Sequence, residues 1–163
     1  MFVRSWRFVT LLLVALLTGL AFAHVLERPA KMLYDAAFYV TLQKTLYVEW
    51  GPPHIGGILE PAAIFVTFAL AFGVRRRRRA FWLSLSAATI LLLAFPIVFF
   101  VCVAPANEAF LAATPHSVPP NWMALRESWE VGHTVRFVLQ LAALSLLVLS
   151  VLLETYNEES QSA

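Results

Sequence analysis

Cysteine occurs once in the 163 residues, at Cys102, so the chain can form neither an internal disulfide nor the thiol pair that thiol–disulfide exchange requires. Charge is also scarce: Asp, Glu, Lys and Arg make up 13% of the residues, against roughly a quarter in an ordinary soluble domain. There is no internal repeat, heptad array or low-complexity tract, and no segment has the polar-in, apolar-out alternation of a membrane barrel strand. What the chain has instead is hydrocarbon. With 60% hydrophobic residues and a mean hydropathy of +0.74, apolar side chains must cover the outside as well as the core, and the solvent that tolerates this is lipid.

Four apolar stretches, 8–26, 58–74, 80–104 and 134–153, each lie near the ~20 residues an α-helix needs to cross ~30 Å of hydrocarbon. Backbone amides in lipid must be bonded within their own segment. The sequence therefore predicts an all-α, four-helix transmembrane bundle, a single membrane domain over 1–163 with a polar, acidic, disordered tail at 157–163. Arg4 and Arg7 ahead of an apolar run ending at Ala21-Phe22-Ala23 also fit a cleaved signal peptide, but the run continues through Val25 and Leu26, which favours a retained span. The net charge is +2, and five of the twelve basic residues form one run, Arg75 to Arg79, in a tight turn between spans two and three. With Arg4 and Arg7 on the same side, this run predicts both termini in the cytoplasm. As a topology signal it needs no nucleic-acid partner; an anionic-lipid patch is the competing reading.

Between the first two spans, Tyr34, Phe38, Leu42, Leu46 and Trp50 recur every fourth residue among polar neighbours, the pattern of an amphipathic helix lying over the outer face as a lid. Gly51-Pro52-Pro53 should stop it. Residues 105–121, with Pro105, Pro115, Pro119 and Pro120, read as a loop, with Asn121 as cap of the helix that follows. From Trp122 to Tyr156 there is no Pro, so one helix of about 35 residues is expected. Pro96 should kink span three.

Ionisable groups cost free energy in lipid and are normally turned inward and paired. Here they gather at one end of the spans. His24 and Glu27 share a face of span one, Glu60 begins span two, and Asn107 and Glu108 follow span three. Arg126, Glu130, His133, Phe137 and Gln140 form a helical stripe with Trp129 and Arg136 on its edge. Three readings compete. The cluster can be a set of ion pairs that fixes helix register, with Arg126 and Glu130 paired along their helix and Arg136 or His133 satisfying Glu27 or Glu60. It can hold iron or manganese, because Glu130-x-x-His133 repeats a di-metal bundle spacing and His24-x-x-Glu27 is its reverse. Or it can be an acid/base site for a hydrophobic small molecule, with His133 oriented by Glu130 or Glu27, and Arg126 or Arg136 stabilising an oxyanion.

The strings His24-Val25-Leu26-Glu27-Arg28-Pro29-Ala30-Lys31, Trp50-Gly51-Pro52, Glu60-Pro61-Ala62 and Pro105-Ala106-Asn107, and above all Trp122-x-x-Leu125-Arg126-x-x-Trp129-Glu130-x-x-His133-x-x-Arg136, resemble the anthrone-oxygenase-like family of small four-span membrane proteins. The similarity runs from about Phe8 to Leu153. It implies a four-helix membrane fold and, from the fungal branch, oxidation of an anthrone to an anthraquinone by dioxygen with no cofactor. Under that implication His133 takes a ring proton, Arg136 or Arg126 holds the oxyanion, and Trp129 lines the pocket. His24, Glu27, Glu60 and Asn107 are the further candidates for contact with substrate. The alternative is a small binding or accessory protein with a purely structural polar cluster.

Overall fold

The structure, a computed structural model, describes residues 2–51 and 54–162, with side chains as far as Glu154. Helix α1 (Phe2–Lys31) leads to a short lid made of α2 (Ala36–Leu42), a π-helical turn (Gln43–Tyr47) and α3 (Val48–Trp50). Helix α4 (Ile55–Gly73) returns to the arginine turn, and α5 (Arg78–Leu92) continues through a π-helical stretch (Leu93–Val103) into α6 (Ala104–Ala112). The last helix, α7 (Trp122–Ser162), includes the expected tail as far as residue 162; no Gly or Pro follows Gly132, and Glu and Gln are good helix formers. No strand forms among the described residues beyond an isolated bridge between Thr114 and Ser117.

Four helical stretches are long and apolar enough to cross a membrane: Phe2–Lys31, Ile55–Gly73, Arg78–Ala112 and Trp122–Glu154. They match the four predicted spans, with longer ends. Helix α1 packs on α4 and α7, and α5 packs on the same two, closing a four-membered ring. Large side chains such as Phe65, Phe72, Phe100 and Val138 point outward, whereas Ala63, Ala80, Ala87, Ala143 and Thr67 fill the interior with Val14, Leu17, Leu70 and Leu147. Lipid is as apolar as leucine, so burial alone does not bring membrane helices together; small residues let backbones approach and gain dispersion contacts. Buried hydroxyls close back onto their own helices, as Thr67 Oγ1 does to the Ala63 carbonyl at 2.6 Å. Trp6 Nε1 donates across to the Val66 carbonyl at 3.0 Å, tying α1 to α4.

Two expectations need correction. Residues 104–112 are helical rather than loop, because Pro105 falls in the first turn of α6, where its missing N–H leaves no gap. The loop is limited to 113–121, and the Asn121 backbone carbonyl accepts the first bond of α7, from Leu125 N at 3.1 Å. The buried side of the lid is also displaced from the predicted stripe. Tyr39, Val40, Gln43 and Tyr47 face inward, while Phe38 and Leu46 are exposed. The lid covers polar groups, so its polar-aromatic side turns in and its aliphatic side turns out. The proposed stop at Gly51-Pro52-Pro53 lies partly outside the described residues. Pro96 does disturb span three, as π winding: the wider turn absorbs the hydrogen bond that Pro cannot donate.

Helix α7 approaches the π-helical stretch most closely at Gly132. A Cβ there would lie 2.8 Å from Cys102 Cβ and 2.9 Å from Val103 Cγ2. Gly132→Ala is therefore expected to destabilise the protein by about 1–3 kcal/mol through overpacking. Gly19→Ala, where a Cβ meets nothing within 4 Å, should be neutral or stabilising by up to about 1 kcal/mol. Thermal unfolding of both variants in detergent checks the contrast.

Candidate functional site

The polar groups meet at the end of the bundle covered by the lid, in two layers. The layer directly beneath the lid is a charge network. Lys31, in the last turn of α1, places Nζ 2.9 Å from Glu130 Oε2 on α7, both side chains almost fully buried at 2% and 1% exposed. Lys31 Nζ also lies 3.9 Å from Glu27 Oε2, one helical turn back, and over the rings of Trp129 and Tyr47 at 4.6 and 5.0 Å. The lid completes the network with phenols: Tyr39 Oη donates to Glu130 Oε1 at 3.1 Å, and Tyr47 Oη to Glu27 Oε2 at 2.6 Å. Burial, reinforced by the adjacent carboxylates, pushes both phenols well above their ordinary value, so each remains a neutral donor.

Arg126 belongs to this layer but not as the sequence pairing supposed. Its Nη1 donates to the Tyr34 carbonyl at 3.0 Å and more weakly to the Lys31 carbonyl at 3.4 Å, capping the exit of α1. Its guanidinium stacks 4.6 Å over the Trp122 ring. It is committed to backbone, and its expected bond to Glu130 is replaced by Lys31. Glu108, His54 and His116 are exposed.

The deeper layer is a cavity of about 40 Å³ between α1, α4, α7 and the π-helical stretch. His24, Glu60, Asn107, Trp129, His133 and Arg136 all line it, with Phe99, Val103, Tyr47 and Trp50 as its aromatic and aliphatic walls and Gln140 at its floor. The imidazoles of His24 and His133 lie with ring centroids 4.0 Å apart, and Trp129 stacks against both, at 5.0 and 4.2 Å. Trp129 is held by Nε1 donating to Asn107 Oδ1 at 2.7 Å, which uses the oxygen that Asn107 would offer a ligand. Arg136 forms an ion pair with Glu60 and directs Nη1 toward His133 Nδ1 at 3.5 Å. Three buried polar atoms here have no protein partner: His24 Nδ1, Arg136 Nε and Gln140 Oε1. Buried polar groups are costly unless bonded, so such atoms mark a place for water or a ligand.

Of the predicted site residues, His24, Glu60, Asn107, Trp129, His133 and Arg136 thus converge on one chamber. Glu27, Glu130 and Arg126 lie in the overlying network and do not line it. For a metal the donor set fits poorly. Glu130 faces the Lys31 ammonium and Glu60 the Arg136 guanidinium, and no three His, Cys, Asp or Glu groups gather among the described residues. Sequence reasoning missed Lys31, Tyr39 and Tyr47 as members. Lys31 was legible, since 24, 27 and 31 share one helical face; the tyrosines were not, because their burial depends on how the lid is rolled.

Removing one partner of a buried pair strands the other. Lys31→Met should lower stability by about 3–5 kcal/mol, while Lys31→Met combined with Glu130→Gln recovers most of it. Loss of the exposed Arg28–Glu127 contact should cost about 0–1 kcal/mol. Unfolding of the four proteins in detergent measures the coupling.

Set against known proteins, the chain matches no family model, no curated protein and no solved structure.

Proposed function

We propose that the chain is an anthrone-oxygenase-like oxidoreductase of the membrane, acting on a hydrophobic aromatic compound in the chamber beneath the lid. The observation that carries this reading is the pair of imidazoles facing each other beside Arg136 and Trp129 in a partly open, largely apolar cavity. The nearby charges cancel: Lys31 and Arg136 are matched by Glu130 and Glu60, so the chamber favours an uncharged guest.

The chemistry needs a base, a place for negative charge and exclusion of water. A base removes a proton from the ring methylene of the substrate; the carbanion's electrons reduce dioxygen, and loss of water leaves a carbonyl, so that CH2 and O2 become C=O and H2O. The resemblance implies His133 as the base, but the geometry suits it better as a hydrogen-bond donor, with the proton taken by its neighbour His24. Arg136 Nη1 approaches His133 Nδ1, which favours a lone pair at that nitrogen and the N–H on Nε2, a donor for an oxyanion. His24 Nδ1, with no protein partner, is the freer acceptor, and the two imidazoles are read as one proton-handling pair. Trp129 presents its ring to a planar substrate. At about 40 Å³ the cavity is smaller than the roughly 150 Å³ that takes up benzene, so an aromatic guest requires its walls, which include Trp50 and Tyr47 of the lid, to give way.

A structural reading, in which the ion pairs only fix helix register and the protein has a binding or accessory role, is favoured by one observation: the central Lys31–Glu130 and Arg136–Glu60 charges are paired across helices. Oxygen uptake by the purified protein with a hydroxylated anthrone separates the two. Catalysis predicts uptake above the protein-free rate, reduced roughly 10²- to 10⁴-fold in His133→Ala or His24→Ala, with unfolding temperature little changed and exposed His116→Ala unaffected. No uptake, together with a large loss of stability in His133→Ala, establishes the structural role instead.

The proposed orientation puts both termini and the arginine turn in the cytoplasm of a bacterial inner membrane. It is supported by the meeting of Arg7, Arg77 and Glu154 at the end opposite the lid, at 2.6 and 2.5 Å. A fluorescent reporter that matures only in the cytoplasm should light up when fused at the C-terminus; a periplasmic phosphatase reporter active at that position would reverse the assignment.

A further inference from the structure

At the end opposite the lid, α1 and α4 leave between them an apolar groove of about 260 Å³, lined by Phe2, Val3 and Trp6 on one side and Ala69, Leu70, Phe72 and Gly73 on the other. Its volume exceeds the roughly 150 Å³ apolar cavity that takes up benzene. Phe2 and Trp6 stack at 5.9 Å to form one wall, and Gly73 leaves open space where any other residue would project a side chain.

The mouth of this groove is cationic. Arg75 lies with its guanidinium 4.2 Å over the ring of Phe72, itself a groove residue, and spends one N–H on the Phe72 carbonyl at 3.2 Å. Arg75, Arg76, Arg78 and Arg79 are exposed and have no carboxylate partner among the described residues, of which Glu154 is taken by Arg7 and Arg77. A topology signal requires only that the charge be present. It does not require a concave apolar slot whose wall carries one of the arginines.

We infer that the Phe2–Trp6 and Ala69–Gly73 groove with Arg75 and Arg76 at its mouth is a binding site for an acidic phospholipid, one acyl chain lying in the groove and the phosphate against the guanidinium groups. The two requirements of such a ligand, an apolar tail and an anionic head, are met side by side at the depth where a bilayer supplies them. The inference is independent of the chamber under the lid.

Native mass spectrometry of the full chain in detergent, titrated with dioleoylphosphatidylglycerol or dioleoylphosphatidylcholine, tests it, with inorganic phosphate in a parallel thermal-unfolding series. The glycerol lipid should bind more tightly and raise the unfolding temperature. Gly73→Phe, which fills the groove, and Arg75→Gln should each weaken that binding about fivefold, as should Arg76→Gln if Arg75→Gln fails to fold. Gly19→Leu, on an open face of α1, should leave it unchanged. Equal affinity for the choline lipid, an unaltered Gly73→Phe, or a thermal shift with phosphate as large as with the lipid would overturn the proposal.

Discussion

A charge withdrawn from water into a hydrocarbon setting must meet its opposite, and this requirement organises the lidded half of the molecule. Lys31 on α1 meets Glu130 on α7, and Arg136 on α7 meets Glu60 on α4, so α7 is locked to two neighbours by contacts that have few alternatives. Each pair dictates what surrounds it. Two lid tyrosines are recruited to satisfy remaining carboxylate oxygens, and Trp129 takes up the space between the ammonium and the imidazoles. The opposite half of the bundle is tied by the largely buried Arg7–Glu154 pair at its far end and is otherwise packed with alanine, valine and leucine.

The spans were readable because lipid imposes one length and one composition on any crossing helix, and the structure follows the predicted order with extended ends. The α7 stripe was readable for the same reason that makes helices periodic: residues 126, 129, 130, 133, 136 and 140 all turn inward. Partner choice was readable only in part: Arg136 with Glu60 was among the expected cross-helix pairs, whereas the partner of Glu130 was not. Arg126 and Glu130 stand four apart on one helix and looked like a pair, yet Lys31, almost a hundred positions earlier, takes the carboxylate, and only the assembled bundle brings it there. The lid misled in a related way. Its apolar residues form a regular stripe, but in a membrane protein part of such a stripe can face outward, as Phe38 and Leu46 do, and Tyr39, Gln43 and Tyr47 form the side that packs.

Both π-wound segments border the chamber. Leu93–Val103 contributes Phe99 and Val103, and Gln43–Tyr47 contributes Tyr47. In the first, Pro96 supplies the cause; the second contains no proline, and its widened turn coincides with the place where the lid crosses the polar layer. Departures from α-helical winding are thus concentrated where side chains converge on the site, consistent with the general association of π-bulges with functional positions.

The long reach of these pairs also bears on how the protein is made. Lys31 leaves the ribosome about a hundred residues before Glu130, and Glu60 well ahead of Arg136, so early in synthesis Glu60 lacks its partner and Lys31 has only Glu27, one turn back on its own helix. Their placement at helix ends lets them wait in the wet headgroup layer rather than mid-bilayer. Insertion of the final helix then neutralises both, which makes its arrival the step that seals the nascent bundle.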